Sequence, residues 1–285
     1  MEERLKELIA DGKVIPFVGA GVSMDVKSKE SNKSIFPSWT DLLIQLADEL
    51  QKFGKENEKE HILSSLKVEK DYLSIADDIK EFFPSDKFYN KALKEIFDIK
   101  KEEIDDNSLG LARAIWSLGQ KLIITTNYDK ILHWASSTPD NTKYWDIQAI
   151  YEQASSLRDG VHRDTVWHIH GHIDNIDNIV LTTDSYNRLY NNSSDAEFKT
   201  ALSTLQNYLS QKSFLFIGYS LEDKFFVDEL IKVCDTFGNS HSEHYILLHK
   251  DRELNSLLEK KIIPIHYEDY GQPLIDKIKY LAPNI

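Results

Sequence analysis

The chain has 285 residues, 41% of them hydrophobic, which supplies enough apolar material for a large folded domain and excludes a disordered chain. Its 47 acidic and 34 basic residues give a formal net charge of −13, which argues against direct nucleic-acid binding. Cys234 is the only cysteine, so an intrachain disulfide and a multi-cysteine zinc site are excluded. We expect a cytoplasmic protein without a signal peptide or membrane span, because the first residues are charged and no apolar run is long enough.

The N-terminal part of the chain predicts a helix, a buried strand and then a long helical region. Glu2 to Ala10 has helical spacing, and the apolar run KVIPFVGAG predicts a strand that ends in a glycine turn. A long polar loop follows from Ser28 to Ser38. Beyond it, PSWTDLLIQLADEL opens with a helix-capping signal and continues at helical spacing. The pattern stays helical and acidic, so we predict a helical insertion module over residues 38–120 within one domain spanning residues 1–285.

The rest of the chain alternates between short apolar runs and helical segments. Strand candidates are found in KLIITTNYD, DTVWHIHGHI, NIVLT, KSFLFIGYS, EHYILLH and KKIIPIHY. Apolar strands that do not alternate with polar residues are typical of parallel sheets buried on both faces. The predicted fold class is therefore α/β, a Rossmann-like, mostly parallel sheet with helices on both faces.

Three of the predicted strands end in polar turns, where ligands bind in this type of sheet. They are VGAGVSM, TTNYD and IGYSLEDKFF. Each has an ordinary structural explanation, because glycines make tight turns and Thr, Asn, Asp and Ser cap helices. Taken singly, none of the three predicts a ligand.

A fourth strand end, VWHIHGHI, carries His168, His170 and His172 on alternate positions. On a continuous strand the three rings would project to one face, but Gly171 indicates that the strand is ending, so His172 could be turned away. His168 lies deeper and is expected to be a core residue. A metal site remains an alternative, with His168 and His170 as ligands, completed by His162 and Asp174.

In order along the chain, the strings GAGVSM, PSW, TTNYD, HGH and GYS resemble the sirtuin family. They are most similar to those of the sirtuin-like NAD-hydrolysing proteins of bacterial antiphage defence. The resemblance covers most of the chain. It implies a Rossmann-like NAD-binding domain with a helical module that cleaves the bond between nicotinamide and ribose, without a metal.

The resemblance also assigns roles to the residues that match its motifs. His170 would be the general base, and Asn127 would orient the nicotinamide ribose and an attacking water. The NAD-binding residues would be Gly19, Ala20, Gly21 and Ser23 for the pyrophosphate and its ribose, Asp129 on the carboxamide side, Gly218 and Ser220 along the adenosine half, and Thr126. His172 replaces the acid or asparagine that is usual in the family at that position.

Departures from the protein deacylases point to water as the acceptor. The four-cysteine zinc module is absent, and FPSW, residues 36–39, lacks the arginine of the usual Pro-Asp-Phe-Arg string. The resemblance therefore predicts an NAD+ glycohydrolase, with NAD+ as substrate and no metal. A regulatory module that binds NAD or ADP-ribose without turnover is the main alternative, and a metal-dependent hydrolase is a weaker one.

The resemblance also implies external control of the activity. The sirtuin-like region fills the chain, so we expect activation by self-assembly into a homo-oligomer or by a partner in trans such as a HerA-type ATPase. The partner would then contact DNA in place of this chain.

Overall fold

The structure is a computed structural model that describes all residues except 69–70, 154–159, 192–193, 239–241 and 284–285. Its strands are β1 (Val14–Val18), β2 (Leu122–Thr125), β3 (Lys143–Trp145), β4 (Thr165–His168), β5 (Ser213–Ile217), β6 (His244–His249) and β7 (Ile262–Tyr267). They form one sheet in the order β3-β4-β2-β1-β5-β6-β7, and every described pair is parallel. This confirms the predicted Rossmann-like α/β fold.

Helices cover both faces of this sheet. They are α1 (Glu2–Ala10), α2 (Ala20–Met24), α3 (Trp39–Glu49), α4 (Glu56–Val68), α5 (Tyr72–Phe82), α6 (Asp86–Phe97), α7 (Gly110–Trp116), α8 (Ile131–Ala135), α9 (Ile147–Gln153), α10 (Thr183–Tyr190), α11 (Ala196–Gln211), α12 (Lys224–Phe237) and α13 (Gln272–Leu281). Successive strand residues such as Phe17 and Val18 contribute to two different hydrophobic clusters. Their side chains point to opposite faces, which explains why every residue of β1 is buried.

Between β1 and β2 the chain runs through α2 to α7. Helix α3 begins where PSW predicts it, because the Ser38 hydroxyl accepts from the Asp41 N–H and the Asp41 carboxylate accepts from the Ser38 N–H. The loop before it is fastened by backbone hydrogen bonds from Ser28 to Lys33 and from Lys29 to Glu103. The extent of the helical module, residues 38–120, stays a prediction.

Two details of the sheet differ from the sequence expectation. The run NIVLT, residues 178–182, is not a strand. Its Val180 N–H bonds to His170 O in the segment that follows β4, but no ladder of backbone hydrogen bonds extends from this one. Strand β3 was not predicted; it has three residues and lies at the edge of the sheet beside β4. A run that short has too little periodicity to identify a strand.

The topological switch point of the sheet, where the order of strand addition reverses, is at β1. From β1 the chain builds β2, β4 and β3 on one side, and β5, β6 and β7 lie on the other side. The turns that follow β1 and β5 therefore lie side by side, at the position where doubly wound sheets bind ligands. Among the described residues, no helix is long and apolar enough to cross a membrane.

Candidate functional site

The carboxyl ends of β4, β2, β1 and β5 are aligned at one edge of the sheet. Val18, the last residue of β1, pairs with Thr125 and Ile217, and Thr125 pairs with His168. The residues that follow these strands therefore meet at one edge, and they include all the positions predicted for NAD. They are Gly19, Ala20, Gly21 and Ser23 after β1, Thr126, Asn127 and Asp129 after β2, His170 after β4, and Gly218 and Ser220 after β5.

The glycine turns after β1 and β5 interlock through their backbones. A Cβ added to Gly19 would lie 2.6 Å from Gly218 O, and one added to Gly21 would lie 2.9 Å from the same atom. Gly218 itself has a φ of +61°, and a Cβ there would meet Val22 N at 2.8 Å. Glycine is therefore required at these three positions by contact between the two turns, whether or not a ligand is bound.

The contact between the two turns occupies the backbone N–H groups of Gly19 and Gly21, two residues that were predicted to bind the pyrophosphate. The Gly19 N–H donates to Ile217 O at 3.0 Å, and the Gly21 N–H donates to Gly218 O at 2.9 Å. Ala20 is partly exposed and Ser220 is exposed, so these two residues have surface available for a ligand. Binding of the pyrophosphate by this turn stays a prediction.

Asn127, which is partly exposed, forms a hydrogen-bonded network with the buried side chains of Ser23 and Asp129 beside the glycine turn. The Asn127 side-chain amide donates to Gly19 O at 3.0 Å and to Ser23 Oγ at 2.8 Å, and the Ser23 hydroxyl donates to the Asp129 carboxylate at 2.6 Å. Both hydrogens of the Asn127 amide are thus committed, which leaves its Oδ1 as the acceptor available to a ligand. Burial raises the pKa of Asp129, and the hydrogen bonds from Ser23 and Ile131 oppose this shift.

His170 lies in a buried aromatic environment, 2% exposed. Its Nε2 is hydrogen-bonded to the Tyr190 hydroxyl at 2.9 Å, and the edge of the Tyr186 ring packs against it at a centroid distance of 5.0 Å. Burial lowers the pKa of His170 to about 3, so the ring is neutral at physiological pH. A neutral imidazole can accept a proton, but a substrate must displace neighbouring groups to reach it.

Asp223 lies beside His170, although its sequence context indicates only a helix cap. It does cap α12, because its carboxylate accepts from the Phe226 N–H. The same carboxylate lies 3.7 Å from His170 Nε2 and accepts from the Tyr219 hydroxyl at 3.3 Å. Burial raises the pKa of Asp223 to about 6, an effect that hydrogen bonds from Phe226 and Tyr219 reduce. Nothing in the local pattern separates this role from ordinary capping.

The three histidines of VWHIHGHI do not share a face, and the residue turned away is His170, not His172. Strand β4 ends at His168, and the Gly171 N–H donates to His168 O, which closes a turn. Gly171 has a φ of +92°, and a Cβ there would lie 2.5 Å from Asn178 O. The turn ends the alternation of the strand, so His168 and His172 come together and His170 contacts a separate set of tyrosines.

This arrangement overturns the pairing of His168 with His170 as metal ligands. Among the described residues, the group whose nitrogens or oxygens converge on one point is His133, His168 and His172. His162 is exposed and does not join it, and the Asp174 carboxylate is bound to Lys130 at 2.6 Å. His133 follows β2 in the chain, and no sequence spacing connects it to the other two.

Comparisons with known proteins show what this chain is similar to. A sequence profile described as SIR2-like domain matches residues 121–266. NAD(+) hydrolase ThsA of Enterococcus faecium is 29% identical over 250 residues, and NAD(+) hydrolase ThsA of Bacillus cereus (strain MSX-D12) is 28% identical over 259 residues. These alignments cover 87% and 89% of this chain but 45% and 46% of the relatives, so the chain spans about half the length of the curated relatives it matches.

One solved structure of a Sir2 enzyme aligns with 99% of this chain and 96% of its own, at 13% identity and a TM-score of 0.45.

Proposed function

Because the chain belongs to the SIR2-like domain family, we propose that it is an NAD+ glycohydrolase. The reaction splits NAD+ and water into nicotinamide, ADP-ribose and a proton. The observation that carries the proposal is that Asn127 and His170 follow adjacent parallel strands, at the edge of the sheet where the two glycine turns meet. The relatives named NAD(+) hydrolase support the same substrate.

In the proposed reaction, Asn127 positions the group that attacks the ribose. Its amide hydrogens are held by Gly19 O and Ser23 Oγ, so Oδ1 can accept from a ribose hydroxyl or from the attacking water. Departure of nicotinamide builds positive charge on the ribose, and an amide oxygen stabilises that charge. Because Oδ1 is already oriented by these hydrogen bonds, the side chain does not have to reorganise as the charge develops.

His170 receives the proton that water loses when its oxygen bonds to the ribose carbon. Its neutral ring has one lone pair, and when Nε2 donates to the Tyr190 hydroxyl this lone pair is on Nδ1, which accepts the proton. Protonation of a buried ring is costly, and the Asp223 carboxylate at 3.7 Å reduces that cost. General base catalysis of this type accelerates reactions by about a hundredfold to ten-thousandfold. These steps use side chains of the protein and no metal.

The test is nicotinamide release from NAD+ by the purified chain, with and without EDTA. We expect His170→Ala and Asn127→Ala each to lower release at least about a hundredfold, and EDTA to leave it unchanged. His266→Ala is the matched control, because His266 is an exposed histidine on β7. Release that persists in both site variants would reject the proposed roles.

A second candidate function is that of an NAD or ADP-ribose sensor without turnover. It is favoured by the burial of His170 and by the use of the Gly19 and Gly21 amides within the protein. Binding of NAD+ by calorimetry without nicotinamide release, under every activating condition tried, would support the sensor and reject the hydrolase.

We also propose that the protein is a cytoplasmic effector of antiphage defence that depletes NAD+. Self-assembly or a HerA-type ATPase in trans would activate it, and the motif resemblance supports both routes. Light scattering would establish the oligomeric state, and nicotinamide release with and without the purified ATPase would test activation. Equal release in both conditions, by a monomeric chain, would reject control by assembly and by this partner.

A further inference from the structure

Three histidine rings meet on the opposite side of the β4 end from the tyrosines around His170. We call them the three-histidine cluster: His133 of α8, His168 at the end of β4, and His172 after the turn. One ring nitrogen from each lies within 4.8 Å of the others. The ring centroids of His168 and His172 are 4.5 Å apart, and those of His133 and His168 are 5.4 Å apart. Three imidazoles at such distances are a ligand set for a transition metal.

The hydrogen bonds of His168 aim a lone pair into the cluster. Its Nδ1 lies 2.7 Å from Asn127 O, and a carbonyl can only accept, so Nδ1 carries the proton. The other nitrogen, Nε2, is therefore unprotonated and accepts a hydrogen bond from His133 Nε2 at 3.2 Å, which an ion bound between the two nitrogens would replace. A carbonyl that fixes the tautomer of a histidine is a common partner of metal-binding imidazoles.

His172 supplies a second, independent indication. The ring is 1% exposed, and its Nε2 is a buried nitrogen without a hydrogen-bond partner in the described part of the chain. A buried polar atom without a partner is costly, and a metal ion would satisfy it. The other nitrogen, Nδ1, accepts the Asp174 backbone N–H at 3.2 Å, so Nε2 carries the proton in this structure. Metal binding at Nε2 would move that proton to Nδ1, where the Asp174 carboxylate at 3.7 Å can accept its hydrogen bond.

The distances fit a small tetrahedral ion. Zn²⁺ binds imidazole nitrogens at about 2.0–2.1 Å, so two such nitrogens lie about 3.3 Å apart around one ion. The His133–His168 distance of 3.2 Å already matches this value. His133 is partly exposed and lies on the five-residue helix α8, so it can move to close the wider distances.

We propose that His133, His168 and His172 bind one divalent transition-metal ion of the Zn²⁺ type, with water completing a tetrahedral site. The Tyr144 ring stacks on His172 at 4.5 Å and is 45% exposed, so an ion can enter from this edge of the sheet by displacing it. The ion would tie α8 to the end of β4. The hydrogen bond from His168 Nδ1 to Asn127 O forms without the ion, and the ion would not contact His170.

This proposal does not depend on the proposed hydrolysis of NAD+, and its test reads out metal binding. The 285-residue chain, freed of metal by a chelator, is titrated with Zn²⁺ alone in a calorimeter and with Co²⁺ alone by visible absorption. We expect one equivalent of Zn²⁺ and a four-coordinate Co²⁺ spectrum. The dissociation constant should rise at least about tenfold in His133→Ala and in His172→Ala, and it should not change in His266→Ala.

Thermal unfolding provides the second measurement. Zn²⁺ should raise the Tm of the wild-type chain and of His266→Ala but not that of His133→Ala, because an ion stabilises only the state that binds it. Absence of tight binding, or equal binding by wild type and both cluster variants, would mean an adventitious ion only and overturn the proposal. If the variants do not fold, X-ray absorption spectroscopy of the wild-type Zn²⁺ complex counts the imidazole ligands of the ion. Fewer than three imidazole ligands would also overturn the proposal.

Discussion

The carboxylate of Asp223 lies 3.7 Å from Nε2 of His170, and these side chains are only 13% and 3% exposed. One belongs to the N-terminus of α12 and the other to the turn after β4. The groups that face this carboxylate are His170 and the hydroxyls of Tyr186, Tyr190 and Tyr219. Asp223 is thus placed to stabilise His170 whenever His170 holds a proton.

The first prediction concerns the pH dependence of nicotinamide release. Because the pKa of Asp223 is about 6, kcat/KM should fall as the pH decreases through 6 and the carboxylate becomes neutral. Asp223→Asn should be slower by about tenfold to a hundredfold at pH 7 and should lack this acid limb. An acid limb of the same midpoint in the variant would contradict the role of Asp223.

The effect of Asp223 on protein stability distinguishes a role in the reaction from a purely structural role. Folding raises the pKa of Asp223 above its unfolded value, so between about pH 4 and 6 the folded state binds more protons than the unfolded state. Stability from this group is therefore greatest at low pH and is lost as the pH rises through 6. An asparagine side chain can still cap α12 without the buried charge, so Asp223→Asn should not lower the Tm at pH 7.

The second prediction concerns Tyr190, whose hydroxyl is bonded to His170 Nε2. Tyr190→Phe removes this hydrogen bond but keeps the ring, so kcat should fall by about two- to tenfold with little change in KM. Tyr208→Phe is the control, because Tyr208 packs on the same core cluster without contacting His170. Steady-state kinetics of both variants measure the effect, and equal kcat values would contradict it.

The third prediction concerns the interlocked glycine turns. Gly218→Ala should destabilise the protein by more than the roughly 1–2 kcal/mol of a left-handed alanine, because the new Cβ would also meet Val22 N at 2.8 Å. Gly12→Ala separates the two causes, since Gly12 has a φ of +65° but nothing within 4 Å. Denaturant unfolding of both variants tests this, and equal losses would show that the turns can separate freely.

The fourth prediction concerns Ser23. Ser23→Ala leaves the buried Asp129 carboxylate without one donor and releases one hydrogen of the Asn127 amide. We expect a loss of about 1–3 kcal/mol in unfolding free energy and slower nicotinamide release. Ser117→Ala, which removes only a bond to Ala114 O within the turn that ends α7, should cost less and leave release unchanged. Normal release by Ser23→Ala would show that Asn127 needs no support from this hydroxyl.

The sequence by itself determined the features that depend on neighbouring residues. The apolar run of β1 with its glycine turn and the Ser38 cap of α3 are encoded within a few positions, and the structure confirms both. The alternation of short apolar runs with helices was enough to predict a parallel sheet. The motif resemblance then predicted roles for Asn127 and His170, which follow adjacent strands of the sheet.

Only the tertiary structure decided which side chains meet at that edge. The turn at Gly171 separates His170 from His168, and the order of the strands brings His133 to His168 and His172. Asp223 likewise approaches His170 because α12 and the end of β4 pack against the same aromatic residues. Such contacts join residues far apart in the chain. They depend on backbone turns and strand order, and neither leaves a periodic pattern in the sequence.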